Sequence, residues 1–118
     1  MKTGKDVVME FQTAMGKNDM AGARACFAHH IQFVGPFDTF STPEEYLASL
    51  AKLHHIVERV DPHKMFVDGE DVCLLYDLVT KTPAGTAFIA EWHHVTNGKI
   101  DRVRVVFDAR PFAAMMGR

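Results

Sequence analysis

Apolar positions recur along this chain with two different periods, and the change from one to the other falls near residue 57. Before it, Val7, Val8, Phe11, Ala14 and Met15 share one stripe at helical spacing, behind a Thr3-Gly-Lys-Asp6 segment whose two ends can cap each other. This predicts an amphipathic first helix. Gly16 to Asp19 interrupts it, Asn18 or Asp19 can serve as the next N-cap, and Met20, Ala23, Cys26 and Phe27 line the inner side of a short second helix. Ile31-Gln-Phe33-Val-Gly35 alternates briefly and stops at Pro36, which has no N–H for a ladder, so a short strand gives way to a loop holding Phe37 and Phe40. Thr42-Pro43-Glu44-Glu45 starts a third helix with a hydroxyl cap, a proline where its missing N–H is harmless and acids at the positive end of the dipole. Tyr46, Leu47, Leu50, Leu53 and His54 are its stripe.

From Val57 to Arg110 the period is that of strands. Asp68-Gly69, Thr82-Pro83-Ala84-Gly85 and Asn97-Gly98 are turn chemistries, and the four runs they separate alternate or are rich in β-branched and aromatic residues. The reading is an antiparallel meander. Helices gathered on one side of such a sheet give an α+β plan, with three N-terminal helices on the concave face of a cone-shaped, curved antiparallel sheet. No repeat or linker divides residues 1–118, so a single domain is expected.

The turn at Thr96-Asn97-Gly98-Lys99 sets which side chains of the last two strands look inward. A two-residue Asn97-Gly98 loop pairs Glu91 with Arg104 and gathers Phe88, Trp92, Val103, Val105 and Phe107 on one apolar face. A three-residue loop with Gly98 in a left-handed bulge shifts the pairing by one. Ile89, Glu91 and His93 then join Val103, Val105 and Phe107, while Phe88, Trp92, Arg102 and Arg104 turn outward. Segregation of charge slightly favours the first register.

Composition narrows the function classes. A 47% apolar and 24% charged chain is an ordinary globular one with no sign of a membrane span, and a net charge of −2 provides no basic face for nucleic acid. Cys26 and Cys73 stand far apart outside any C-x-x-C pattern, as buried thiols would in a reducing compartment. With no apolar signal segment at the start, a cytoplasmic protein is expected. The doublets His29-His30, His54-His55 and His93-His94 point neighbours apart and make poor chelates, so no metal or other cofactor is expected.

The order of these features carries a resemblance: the Lys17-Asn18-Asp19 break, the Phe33-Val-Gly-Pro-Phe37 strand end, the Thr42-Pro-Glu-Glu helix start, and Thr96-Asn-Gly-Lys-Ile100 leading to Val106-Phe-Asp108. In this order they resemble the nuclear transport factor 2-like superfamily, in its SnoaL-like and ketosteroid isomerase-like branches. The resemblance implies a cystatin-like α+β roll, the bulged turn with Glu91 inward, and a deep apolar pocket under the helices. It also implies homodimers through the outer sheet face. Phe11, Met15, Phe33, Leu50, Leu74, Tyr76, Val105 and Phe107 are the expected pocket wall. Of the isomerase machinery little carries over: Gly35 stands where the general-base aspartate would be, Phe11 where the oxyanion tyrosine would be, and only Glu91 matches the aspartate that donates from the third strand of the meander.

Three residues are therefore candidates for chemistry. Glu91, turned inward, can donate or shuttle a proton, and otherwise is a structural carboxylate bonded to Tyr76. His93 has the same parity one pleat away and can complete an acid/base pair or simply fill the cone. Asp108 is a second acid if a bulge turns it in, and an ion-pair partner of an arginine if not. The expected function is binding of a small hydrophobic ligand by a SnoaL-like protein that is not a standard ketosteroid isomerase. The alternative is an isomerase, cyclase or hydrolase-type enzyme using Glu91 with His93 or Asp108. The outer face, with Phe88, Trp92, Val106 and Ile100 among Arg102 and Arg104, exposes more apolar area than a monomer needs and predicts a dimer. Phe112 to Met116 form an apolar tail that can plug the pocket or lie on a partner.

Overall fold

In the computed structural model, which describes residues 2–115, the helical stripes and alternating runs become a curved six-stranded sheet with helices in its hollow. Helix α1 (Gly4–Gly16) starts on the reciprocal Thr3–Asp6 capping box and buries Val7, Val8, Phe11 and Ala14. Asp19 caps α2 (Met20–Ala25), and Thr42 caps α3 (Pro43–Leu53), which buries Tyr46 and Leu47.

The strands are β1 (Phe27–Val34), β2 (Thr39–Phe40), β3 (Val57–Asp68), β4 (Asp71–Thr80), β5 (Thr86–Thr96) and β6 (Lys99–Val106), ordered β2-β1-β6-β5-β4-β3. The three helices cover the concave face, α1 lying against β4, β5 and β6 and α3 against β1 and β2. The meander is antiparallel as expected. β1 is parallel to β6, however, and begins at Phe27, four residues earlier than the alternation of Ile31 to Gly35 implied. Phe40 belongs to the two-residue strand β2 rather than to a loop, and its ring lies 5.2 Å from that of Phe33.

The last hairpin departs from both registers read from the sequence. Asn97 (φ 51°) and Gly98 (φ 75°) form a two-residue turn of the type whose twist suits adjacent strands, and Thr96 pairs with Lys99 across it. The extra residue lies further on: Val95 pairs with Ile100 but His94 with Arg102, so Asp101 is bulged out of β6. From there Glu91 pairs with Val105 and His93 with Val103, and both acid and imidazole face the hollow. Facing is thus as the bulged register predicts, with the bulge in the strand instead of the turn. Because the parity changes at Asp101, Ile100 is fully buried and not on the outer face.

Gly4 sits where α1 meets the β3–β4 turn. A Cβ there would lie 3.2 Å from the Glu70 Cα and carbonyl oxygen, so only glycine lets the helix start approach so closely. Val95 N donates to the Glu70 carbonyl at 3.0 Å from the other side. The apolar tail expected after Arg110 is helix α4 (Arg110–Met115), whose Phe112 is buried beside Leu78, Ala87 and Ile89; Met116 lies outside the described residues. Among the described residues no helix is long and apolar enough to cross a membrane.

Candidate functional site

Strict alternation along β5 buries Ala87, Ile89, Glu91, His93 and Val95 and leaves Phe88 and Trp92 outside. This puts a carboxylate that is 5% exposed and an imidazole that is 0% exposed into an otherwise apolar core. A carboxylate held there requires donors, since burial strips its hydration. Three elements supply them. Tyr46 of α3 donates its hydroxyl to Glu91 Oε1 at 3.4 Å, and Tyr76 of β4 donates to the same oxygen at 3.5 Å. Gln12 of α1 donates Nε2 to the other oxygen, Oε2, at 3.4 Å.

His93 Nε2 lies 3.1 Å from Glu91 Oε2, close enough for a proton to pass, yet neither ring nitrogen makes an aligned hydrogen bond among the described residues. Its ring is held by packing, 5.9 Å from that of Phe11. All three donors to Glu91 stand at the long end of hydrogen-bonding range, so the acid is surrounded without being gripped. The phenols respond to this setting. Burial first, then the Glu91 charge and Tyr76, push Tyr46 well above the ordinary tyrosine range, and burial followed by Glu91 does the same to Tyr76. Both phenols are neutral donors over the whole working pH range.

Tyr76 as the partner of Glu91 was legible in the sequence, whereas Tyr46 and Gln12 were not. Tyr46 reads as one more stripe residue, although a buried tyrosine hydroxyl usually needs a partner. Gln12, four residues after Val8 and three before Met15, borders the stripe of α1 but is polar, so the apolar pattern passes over it. Asp108, the other acid singled out, is not brought to the cluster. It is exposed, accepts from the Arg110 backbone N–H at 3.2 Å, and forms a two-pronged pair with the guanidinium at 2.8 and 2.9 Å. That arginine side chain, ahead of the backbone N–H, lowers its carboxyl to about 2. Its place is at the start of α4, as the ion-pair reading holds.

The expected wall residues are all interior. Phe11, Phe33 and Leu74 are in the main core with Met15, Leu50, Tyr76 and Val105 packed on it, and Phe107 joins the cluster around Phe112. At Gly35, where the isomerase base would stand, an added Cβ would come within 3.0 Å of the Phe33 ring. Two concavities lie elsewhere. One of about 1010 Å³ is an open surface trough beside α1 and α2 that includes Met9, Thr13 and Cys26. The other, about 180 Å³, is on the outer sheet face between Trp92, Gln32 and Arg104.

A curved, helix-filled sheet with a buried acid on its third meander strand defines a protein of the nuclear transport factor 2-like class. Within that class the chain belongs to the SnoaL-like domain family, whose model matches residues 8–103. Among solved structures it is similar to a nuclear transport factor 2-like protein of unknown function from Cytophaga hutchinsonii, with 29% identity, 95% of this chain and 96% of that chain covered, and a TM-score of 0.80. A putative polyketide cyclase from Sinorhizobium meliloti shares the fold at 16% identity, covering 86% of this chain and 94% of that chain at a TM-score of 0.77. So does TerC, co-crystallized with polyporic acid, at 14% identity, 98% of both chains and a TM-score of 0.78. No curated protein matches the chain.

Proposed function

We propose that this SnoaL-like protein binds a small hydrophobic molecule carrying a hydrogen-bonding oxygen, with its apolar body in the cone and its oxygen at the Glu91 cluster. One observation supports this above the others: polar side chains from α1, α3, β4 and β5 converge in a core that would be more stable without them. Burying a carboxylate and an imidazole costs free energy that an aliphatic pair of similar size would not. Donors at 3.4 and 3.5 Å can also transfer to a ligand oxygen with little loss. The putative cyclase and the polyporic-acid complex among its fold relatives are compatible with a ring-bearing ligand.

The experiment is binding of 1-naphthol, followed by its fluorescence, to wild type and to Glu91→Leu. Saturable binding weakened at least tenfold by the substitution is expected. Equal affinity overturns the role of Glu91.

A second reading, proton transfer on such a molecule by Glu91 with His93, is favoured by the 3.1 Å contact between them in a site closed to water. Asp108, exposed and paired with Arg110, has no part in it.

The outer face belongs to the same proposal, with a second copy of the chain as its partner. Phe66, Phe88, Trp92 and Val106 are 54%, 56%, 47% and 61% exposed on the sheet. Charges stand among them on the same strands: Arg102 and Arg104 on β6, Asp71 and Asp77 on β4, and Lys64 and Asp68 beside Phe66 on β3. A two-fold axis sets this largely apolar patch against its own copy.

A further inference from the structure

The apolar interior is in two parts. One lies under α1, α2 and α3; the other, at the end of the cone, consists of Leu78, Ala87, Ile89 and Phe112, with Phe37, Leu53, Val57 and Phe107 packed on it. Tyr76 and Val105 touch both. The end cluster therefore adjoins the hydroxyl that donates to Glu91, and Phe112 is what closes it.

Helix α4 is held in a distinctive way. Phe112 is its one buried residue, while Arg110, Pro111, Ala114 and Met115 are exposed. Six residues are too few for a helix to persist unaided. Its other tie is the exposed Asp108–Arg110 pair, which is weak in water. The phenyl ring of Phe112 stands edge-on to Phe107 at 5.8 Å, and Phe107 edge-on to Phe37 at 6.2 Å, so the socket is shaped for a flat ring.

We infer that α4 is a detachable plug, and that the socket filled by Phe112 is the port and inner wall for a planar, ring-bearing ligand whose oxygen reaches Tyr76. The inference rests on the proposed ligand-binding reading and names its entrance and the shape of its ligand. Binding selects the lifted state, and Phe112 competes with the ligand, so apparent affinity is reduced by the fraction of molecules with α4 open. Removing the ring removes the competitor.

The test uses the full chain with 1-naphthol and naphthalene as probes, in wild type, Phe112→Ala, Arg110→Ala and Glu91→Gln. Phe112→Ala is expected to bind 1-naphthol at least tenfold more tightly than wild type. Arg110→Ala, which frees the clasp without touching the core, is expected to gain a few-fold. Hydrogen exchange in wild type provides a readout independent of any variant's folding: the Ala113 amide, bonded to the Ala109 carbonyl at 2.8 Å, should exchange well ahead of the β5 amides. Exchange of Ala113 together with β5, or folded Phe112→Ala binding no better than wild type, overturns the plug. If Glu91→Gln weakens 1-naphthol binding while Phe112→Ala leaves it unchanged, the plug falls and the Glu91 reading stands. If Phe112→Ala gains equally for naphthalene and 1-naphthol and Glu91→Gln changes neither, the plug stands and the Glu91 reading falls.

Discussion

Tyr46 and Tyr76, brought from α3 and β4, donate hydrogen bonds from their hydroxyls to one and the same oxygen of Glu91. The acid thereby ties a helix to the sheet, and its removal strands two buried donors. Glu91→Ala is expected to destabilise the protein by about 2–5 kcal/mol in urea denaturation, because each unsatisfied buried group costs about 1–3 kcal/mol. Tyr46→Phe, which deletes one donor and leaves the acid with others, should cost about 1–2 kcal/mol. A Glu91→Ala protein as stable as wild type would show that the cluster contributes nothing to the fold.

The same pair makes an optical prediction. The chain has two tyrosines, and both are pushed above the ordinary range by burial and the Glu91 charge. Tyrosinate absorbance should therefore be absent as pH passes about 10 and should appear only with alkaline unfolding. A group whose folded value is raised contributes stability fully present below its unfolded value, here about 10, and lost as pH climbs towards the folded one. A spectrophotometric titration followed alongside circular dichroism checks it.

Asp108 acts at the opposite end of the pH scale. Arg110 lowers its carboxyl to about 2 from the usual 3.8, so the clasp on α4 is present above the unfolded value and is lost as pH falls from about 4 through 2. Exchange of the Ala113 amide should accelerate over that interval relative to the sheet, and Asp108→Asn should abolish the acceleration. An unchanged profile in Asp108→Asn would exclude the clasp as its source.

Trp92 is the chain's single tryptophan and stands half-exposed on the outer face, its indole N–H bonded to Asp71 at 2.9 Å. If that face joins two copies, Trp92→Asp yields a species of monomer mass in sedimentation, and its circular dichroism is unaltered. An unchanged mass for Trp92→Asp refutes the interface.

Asp101 offers a test of how the interior is set. Deleting it leaves Val95 on Ile100 and His94 on Arg102 in an unbroken ladder, so Glu91 keeps its place against Val105 and stays inward with His93. Such a chain should fold with the acid and the imidazole still buried and lose no more than about 3 kcal/mol, whereas a loss above about 4 kcal/mol would show that the bend at the bulge is itself needed by the core. Asp101→Asn, which keeps the residue count, should stay within about 1 kcal/mol of wild type by the same reckoning.

What could be read from the sequence was whatever depends on local period. The stripe on α1, the start of α3 and the alternation of β5 each come from neighbours a few residues apart. The bulge does not, because both Asn97-Gly98 and a longer loop satisfy the hairpin locally. The choice is made at a distance, where Ile100 N donates to the Cys26 carbonyl at 2.8 Å and β1 docks parallel on β6. Of the site, parity placed Glu91 and His93 on one face and Tyr76 on the inner side of its strand, and only the family resemblance turned the Glu91 face inward. Parity could not give Tyr46 or Gln12, whose meeting with Glu91 depends on how α1 and α3 are rotated over the sheet.

The close seat of Gly4 on Glu70 bears on how the molecule is made. A ribosome releases α1 first, long before the turn that receives it exists, and Glu70 in turn is fixed by Val95, later still. Its apolar stripe must therefore wait, uncovered, until β5 has emerged. Such an order of synthesis makes the stripe of α1 the segment on which a nascent-chain chaperone would act.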